Sequence, residues 1–173
     1  MILRIAQPDD IAAVQGAYQQ IKSHLAQTVD YRHWHTEGHP TPEMITDWIE
    51  EGNLYIAESG TDVAGVMVLD HETGEGYDTA AWSVEAGEGQ ALIVHALGVT
   101  PLFQGRGVAG FLIDSAVRIA QERGCVAVRL DVLVDNIPAR SLYARHGFRD
   151  LGLHTIDYPT TDLNQFHLFE RVL

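Results

Sequence analysis

The apolar positions in the first hundred residues change period several times, and each change marks a new element. Apolar residues recur at helical spacing over residues 11–25, where Asp9 or Asp10 is the expected cap, and over residues 44–49, after the helix-start signal Thr41-Pro42. Apolar runs predict strands over residues 2–6, 54–58, 63–69 and 91–99, with a hairpin turn over residues 59–62. Residues 70–89 are rich in glycine and glutamate and predict an irregular segment.

The remaining residues return to regular patterns. A helical pattern over residues 107–123 ends at Gly124, and a strand follows over residues 126–132. Asn136-Ile137-Pro138 opens another helix, Gly147 ends it, and residues 148–154 and 165–171 are the last strand candidates. The order β-α-α-β-β-β-α-β-α-β-β predicts an α/β fold with a mixed central sheet, in a single domain over residues 1–173.

The charge of the chain narrows the classes of partner. Twenty-four Asp and Glu residues against 11 Lys and Arg give a formal net charge of −13. Such a field repels nucleic-acid backbones and anionic lipid headgroups, so we expect neither as a partner. It attracts amines and basic peptides, although acidity also simply keeps many proteins in solution.

The single cysteine and the apolar runs predict the compartment. Cys125 has no second cysteine with which to form an intramolecular disulfide, which is typical of a reducing cytoplasm. The N-terminus lacks a signal-peptide pattern, and no apolar run approaches the roughly 20 residues that span a bilayer. We therefore expect a soluble, cytoplasmic protein.

A glycine-rich segment stands between a predicted strand and a predicted helix. Residues 105–110 match the G-x-G-x-x-G pattern of dinucleotide-binding folds, and Asp131 follows about 20 residues later. That fold is excluded because residues 100–104 separate Val99 from the first glycine, and no Gly-Lys-Ser/Thr is present for a P-loop. Glycines at a helix N-terminus still let the backbone approach an anion, so we expect a phosphate-bearing ligand.

Two motifs in order resemble a known family. Leu97-Gly98-Val99-Thr100-Pro101, followed by Gln104 to Ala109, is similar to the acyl-CoA signature Q/R-x-x-G-x-G/A of GNAT acetyltransferases. Downstream, the second signature of that family matches Leu130-Asp131-Val132, Asn136, Ala139, Leu142-Tyr143 and Gly147-Phe148. The resemblance implies a GNAT fold, with a mostly antiparallel sheet splayed at the acetyl-CoA site.

The resemblance also implies which residues bind acetyl-CoA. Leu97 and Val99 occupy the strand positions whose backbone pairs with pantetheine. Asn136 falls where the family contacts the pantetheine or pyrophosphate arm, or is simply the helix N-cap; Arg140 lies near the phosphates or is a solvated helix charge. The pyrophosphate is bound chiefly by main-chain N–H groups of Gln104, Gly105, Arg106, Gly107, Val108 and Ala109.

Acyl transfer to an amine requires a proton donor, an oxyanion partner and a proton acceptor. The resemblance assigns Tyr143 as the acid for the departing thiolate and the backbone N–H of Leu97 to the oxyanion; the alternative for Tyr143 is a core aromatic beside Phe148. His95 is the candidate base, or a structural histidine, and strand alternation places it on the face of Leu97 and Val99 unless a bulge intervenes. The reserve candidates for the base are Glu72, Glu75, Glu85 and Glu88.

A histidine-rich stretch before the second helix invites a metal interpretation. It consists of His33, Trp34, His35 and His39, with Glu37 as the nearest carboxylate. Because it lies in a predicted loop without a cysteine, we expect no metal and favour an aromatic wall of the substrate pocket, with Tyr31 and Trp34 contributing.

These observations predict an N-acetyltransferase that moves an acetyl group from acetyl-CoA to a primary amine by direct attack in a ternary complex. The acceptor is a small molecule or a protein N-terminus, and the sequence identifies neither it nor the acyl chain length. The alternative is a non-catalytic acyl-CoA-binding or regulatory domain of the same fold. Homodimerisation is left open.

Overall fold

The computed structural model describes residues 1–34, 38–159 and 161–173. The elements follow the predicted order, and most boundaries lie within one residue of the prediction. The helices are α1 (Ile11–Leu25), α2 (Pro42–Glu50), α3 (Val108–Glu122) and α4 (Ile137–Arg145). The strands are β1 (Ile2–Ile5), β2 (Leu54–Ser59), β3 (Asp62–Asp70), β4 (Ala91–Val99), β5 (Ala127–Leu133), β6 (Arg149–Thr155) and β7 (Gln165–Val172).

The strands hydrogen-bond in the order β1-β2-β3-β4-β5-β7-β6. The pairs β1/β2, β2/β3, β5/β7 and β6/β7 are antiparallel. The pair β4/β5 is parallel, with Ala91, Leu92 and Ile93 opposite Ala127, Val128 and Arg129. The fold is therefore an α/β structure with an open, mostly antiparallel sheet flanked by helices, as predicted.

The chain divides into two compact units, one of Met1–Leu69 with His95–Ser115 and the other of Asp70–Val94 with Ala116–Leu173. The core of the first unit forms because α1 and α2 each bury one apolar stripe, as their helical spacing predicts. Its buried members are Ala6, Val14, Tyr18, Ile21, Leu25, Trp34, Ile45, Ile49, Leu54, Ile56, Val66 and Val68. The prediction of one domain over residues 1–173 stays a prediction.

Two glycines let helices of the first unit lie close to its strands. A Cβ at Gly65 on β3 would lie 2.8 Å from Val108 and 3.0 Å from Leu112 of α3. A Cβ at Gly98 on β4 would lie 2.8 Å from Ile21 of α1. A larger residue at either position would force the neighbouring side chains to shift, because real Cβ atoms essentially never approach other atoms to 2.8 Å.

The second unit has its own apolar cluster, formed by Tyr77, Ala80, Ile93, Ile156, Phe166 and Leu168. Residues 71–90 form no strand, in agreement with the predicted irregular segment; they contain a 3₁₀ turn at Tyr77–Thr79 and an isolated bridge from Glu75 to Asp157. Arg129 fastens this segment to the sheet: its guanidinium donates to Glu170 Oε1 at 3.1 Å and to Val84 O at 2.7 Å.

The capping prediction for the first helix is confirmed in position only, since Asp10 is the N-cap residue of α1. Pro8–Asp10 form a 3₁₀ turn before α1, and the Asp10 side chain makes no cap hydrogen bond. Its carboxylate instead pairs with Arg4, 2.6 Å away, and accepts the Gln7 N–H at 2.7 Å. Thr41 does cap α2, since its hydroxyl accepts from Met44 N at 3.3 Å. Cys125 is buried and free, as predicted.

Among the described residues, no helix is both long enough and apolar enough to cross a membrane.

Candidate functional site

The glycine-rich segment forms an exposed turn that leads directly into α3. A 3₁₀ turn at Pro101–Phe103 precedes it, and Gly105 and Gly107 adopt φ of +72° and +80°. No atom lies within 4 Å of a Cβ built on either glycine, so the turn borders open space. The first-turn N–H groups of an α-helix have no intrahelical acceptor, and those of α3 therefore offer donors for an anion.

Arg106 supplies a positive charge on this turn. Its guanidinium lies over the Phe103 ring, with Cζ 5.6 Å from the ring centroid, and the residue is exposed. Val108, the first residue of α3, is 1% exposed and anchors the turn to the core. The segment thus combines a buried anchor residue, backbone N–H donors and one positively charged side chain, which is what a pyrophosphate requires.

Strand β4 places Leu97 and Val99 just before this turn. Leu97 is 7% exposed and Val99 is half-buried. The strand is held at its end by Thr100, whose N–H donates to Ala64 O at 3.1 Å and whose hydroxyl donates to Val63 O at 3.0 Å. The parallel pairing of β4 with β5 is formed by the first three residues of β4. Its last pair, at Ile93, lies four residues before Leu97.

The backbone of β4 is irregular at Ala96. Ala96 has φ of +48°, an uncommon conformation for a residue with a Cβ, and its carbonyl accepts the Tyr18 hydroxyl at 2.8 Å. Regular alternation is therefore interrupted between His95 and Leu97, so the prediction that alternation puts both on one face loses its basis. His95 is half-buried on β4, and the reserve glutamates are all exposed.

Tyr143 lies on α4 in an aromatic environment. It is 7% exposed, and its ring lies 6.0 Å from that of Phe148 and 5.6 Å from that of Phe169, centroid to centroid. The backbone closes the end of the helix here, since Phe148 N donates to Tyr143 O at 3.1 Å. Tyr143 thus has the core packing that one interpretation of the sequence predicts, and its role as an acid stays a prediction.

Asn136 is the N-cap of α4, as its alternative interpretation predicts. Its Oδ1 accepts from Ala139 N at 3.3 Å, and the residue is 7% exposed. Its Nδ2 has no acceptor within the described residues, where the only fully buried side-chain polar atom that lacks a partner is Arg140 Nε. The Asn136 amide therefore retains a donor that reaches solvent, which is compatible with an additional ligand contact.

Arg140 is engaged within its own unit. Its Nη1 donates to Val134 O and its Nη2 to Asp150 Oδ2, both at 3.4 Å. Burial alone would raise the pKa of Asp150, but hydrogen bonds from His167, Gly152 and Arg140 together hold it below its ordinary value. Both contacts of Arg140 are long, and its role near the phosphates stays a prediction.

Trp34 and His39 of the histidine-rich stretch contact the core of the first unit. Trp34 is 8% exposed, with its ring 5.7 Å from Tyr18 and 6.2 Å from His39, and its part in a wall of the substrate pocket stays a prediction. Burial first, and then the charges of Lys22 and His95, lower the pKa of His39 to about 4. His35 and Glu37 lie outside the described residues. Within the described ranges, no three His, Cys, Asp or Glu residues gather as a metal site.

Sequence reasoning missed one polar cluster. Asp131 Oδ2 accepts hydrogen bonds from Tyr77 Oη at 2.9 Å and from Tyr158 Oη at 2.7 Å. The three residues are far apart in sequence, so no motif links them. The available signal was a carboxylate in the middle of a strand that is apolar apart from Arg129.

The open sheet, together with an exposed glycine turn at the start of α3, defines the architecture of this α/β protein. The model of the Acetyltransferase (GNAT) family matches residues 22–148, and the chain belongs to that family. Mycothiol acetyltransferase of Beutenbergia cavernae is 34% identical over 113 residues, which is 65% of this chain and 38% of that protein. The chain spans about two fifths of the length of the mycothiol acetyltransferases that it matches.

Solved structures share the fold at low identity. A GNAT-family acetyltransferase of Streptococcus agalactiae superposes with a TM-score of 0.81 at 17% identity, covering 99% of this chain and 95% of that one. The yncA protein of Salmonella typhimurium, whose structure includes acetyl-CoA, has a TM-score of 0.69 at 16% identity, covering 100% of this chain and 94% of that one.

Proposed function

We propose that this protein transfers an acetyl group from acetyl-CoA to a primary amine by direct attack in a ternary complex. The observation that carries the proposal is the open turn at residues 104–109, where two left-handed glycines precede the buried start of α3 in a member of the GNAT family. The mycothiol acetyltransferases described above carry the name of an acetyltransferase, and the structure of one structural neighbour contains acetyl-CoA.

Acetyl-CoA fits the residues that are present. We assign its pyrophosphate to the main-chain N–H groups of Gln104 to Ala109, with the Arg106 guanidinium as the local countercharge. The pantetheine arm pairs with the backbone of Leu97 and Val99. The donor on Asn136 Nδ2 is available to the same ligand, and Arg140 contributes by exchanging its long contacts for a phosphate.

The chemistry then needs three groups. The amine nitrogen attacks the thioester carbon, the backbone N–H of Leu97 donates to the oxygen that becomes negative, and the carbon–sulfur bond breaks. Tyr143 gives its proton to the departing thiolate, and His95 accepts the proton of the amine directly or through water. An alkylammonium with a pKa near 10.4 must lose a proton before it can attack, so the amine needs a proton acceptor. In the proposed mechanism, substrate binding brings the amine into contact with His95.

The proposed acceptor is an amine on a small molecule or a protein N-terminus, and the mycothiol acetyltransferases supply one precedent by name. Location in the cytoplasm and formation of a homodimer are, like the acceptor, predictions.

A turnover screen tests the proposal. The chain is incubated with acetyl-CoA and a library of amines, free thiol is detected, and the acetylated amine is identified by mass spectrometry. We expect thiol release only with some amines and in equal amounts to the acetylated product. Acetyl-CoA that binds tightly but is never consumed with any amine would favour the non-catalytic alternative.

A further inference from the structure

Tyr18 carries a polar hydroxyl into the apolar core of the first unit. The residue lies on the buried stripe of α1, and its ring packs against Trp34 with 5.7 Å between centroids. Burial raises the pKa of Tyr18 well above the ordinary value of a phenol, so the hydroxyl stays protonated and acts as a donor. A buried hydroxyl needs an acceptor, and this one donates to the Ala96 carbonyl oxygen at 2.8 Å.

The acceptor of this hydrogen bond lies at the irregular point of β4. In a regular strand each carbonyl points towards a neighbouring strand, whereas the Ala96 carbonyl points to a side chain of α1. Ala96 also has φ of +48°, which few residues with a Cβ adopt. Such conformations cluster at functional sites and persist only where the surrounding structure holds them. The hydrogen bond from Tyr18 is a contact that holds this one.

Helix α1 contacts β4 a second time, two residues further along the strand. A Cβ at Gly98 would lie 2.8 Å from Ile21 Cδ1, so α1 packs closely against the strand there. Tyr18 and Ile21 are three residues apart and share one face of the helix. This face therefore contacts β4 on both sides of Leu97, and all of these residues belong to the first unit.

The peptide group between Ala96 and Leu97 links these contacts to the chemistry. This peptide is trans, and in a planar trans peptide the carbonyl and the following N–H point in opposite directions. Since the Ala96 carbonyl points to Tyr18, the Leu97 N–H points away from α1. A contact that fixes the carbonyl therefore fixes the direction of the N–H, which is the donor that the proposed mechanism assigns to the thioester oxygen.

We propose that Tyr18 is a positioning residue for acetyl transfer, which directs the Leu97 N–H at the thioester oxygen through its hydrogen bond to the Ala96 carbonyl. The inference rests on the proposed function. In this role Tyr18 acts through the backbone and makes no contact with the reacting atoms. A donor stabilises the developing negative charge only when it is held in advance at hydrogen-bonding distance from that oxygen. A hydroxyl on a helix packed against the strand supplies such a restraint.

The test uses Tyr18→Phe, which keeps the buried ring and removes only the hydroxyl. Infrared difference spectra of bound acetyl-CoA with an isotope-labelled acetyl carbonyl report the hydrogen bond to the thioester oxygen without any turnover. Because a hydrogen bond lowers the carbonyl stretching frequency, we expect a higher frequency in Tyr18→Phe than in the wild-type chain. Tyr77→Phe is the control: it removes another buried, hydrogen-bonded hydroxyl, in the second unit, and should keep the wild-type frequency.

Kinetics with an accepted amine give a second measurement. The single-turnover rate of acetylation should fall roughly 10- to 100-fold in Tyr18→Phe, because a misplaced donor stabilises the transition state less. The affinity for acetyl-CoA should change little, since the contacts assigned to the pyrophosphate are kept. A purely structural role for Tyr18 predicts a lower melting temperature with an unchanged carbonyl frequency, and that result in a folded Tyr18→Phe overturns the inference.

A second variant and the wild-type chain decide the question if Tyr18→Phe does not fold. Ala96→Val keeps Tyr18 but disturbs the same peptide, because a β-branched residue strongly disfavours positive φ, and it should raise the carbonyl frequency in the same direction. In the wild-type chain, a frequency as high as that of the thioester in an aprotic solvent means that no donor reaches the oxygen. That result overturns the inference without any variant.

The outcomes separate this inference from the proposed function. A carbonyl frequency that depends on Tyr18 supports the inference even if no amine is acetylated, a result that would count against acetyl transfer alone. Acetylation at equal single-turnover rates in the wild-type chain and Tyr18→Phe overturns the inference and leaves acetyl transfer standing.

Discussion

At the residue scale, the proposed mechanism assigns the proton donor to Tyr143. Tyr143→Phe keeps the ring between Phe148 and Phe169 and removes only the hydroxyl. General acid catalysis typically contributes about 10²–10⁴-fold, so kcat should fall on that order while acetyl-CoA affinity persists. Undiminished kcat in Tyr143→Phe would remove the acid role.

His95 is tested by pH dependence rather than by rate alone. His95→Gln keeps a polar side chain on β4 and removes the proton acceptor. If His95 is the base, the acidic limb of kcat/KM against pH should disappear or move, while acetyl-CoA affinity is largely kept. His24→Gln, on α1, should leave the profile as it is. A profile and rate equal to those of the wild type would make His95 structural and direct the search to the glutamates of residues 72–88.

His39 should make stability depend on pH. Its ring lies between Trp34 and Trp48, and burial lowers its pKa from 6.5 to about 4. The unfolded chain then binds the extra proton, so this contribution is complete above pH 6.5 and is lost as the pH falls towards 4. The loss amounts to about 3 kcal/mol. Urea unfolding across this range should show a flatter dependence for His39→Phe; equal slopes would contradict the assignment.

The residues that the sequence could assign are those whose role depends on neighbours in the chain. Thr41 and Asn136 are caps recognisable from the residues that follow them, and both predictions are confirmed. Asp10 is the N-cap residue of α1, but its side chain makes no cap hydrogen bond because Arg4, on another element, takes its carboxylate. The contacts of Asp131 with Tyr77 and Tyr158 span 54 and 27 residues, so they follow from the fold alone.

At the element scale, the approach of α3 to β3 depends on Gly65. Gly65→Ala would place a Cβ 2.8 Å from Val108 and 3.1 Å from the Gly98 carbonyl, and overpacking of this kind costs about 1–3 kcal/mol. The matched control is Gly16→Ala on α1, where no atom lies within 4 Å and alanine should stabilise the helix by about 0.5–1 kcal/mol. Denaturant unfolding should show opposite signs; destabilisation by both variants would contradict the packing.

Element boundaries could be predicted closely because hydrophobic period and glycine positions are local signals. The predicted strand 91–99 coincides with β4, and Gly124 and Gly147 follow their helices with positive φ. The positive φ of Ala96 inside β4 could not be predicted, since alanine is common in helices and strands alike. The Tyr18 hydroxyl, which donates to the Ala96 carbonyl, is 78 residues away in the sequence.

At the scale of the whole molecule, the two motifs gave the family because they combine a strand, an anion-binding turn and a helix cap in a fixed order. The net charge of the chain carries no information about the fold, but it affects which ligands the protein attracts. The net charge of −13 opposes an anionic ligand, so we predict that binding of acetyl-CoA depends on local donors at the start of α3 and on Arg106.

The most direct measurement is a calorimetric titration of acetyl-CoA into the wild-type chain, Gly107→Asp and Gly124→Asp. Both glycines have positive φ, +80° and +73°, with open space around a Cβ, and they flank the two ends of α3. The variants therefore share strain and charge, but only Gly107→Asp places a carboxylate against the pyrophosphate. We expect affinity to fall roughly 10-fold or more in Gly107→Asp and to persist in Gly124→Asp. Unchanged affinity in a folded Gly107→Asp, or no binding to the wild-type chain, would contradict the assignment of the acetyl-CoA site.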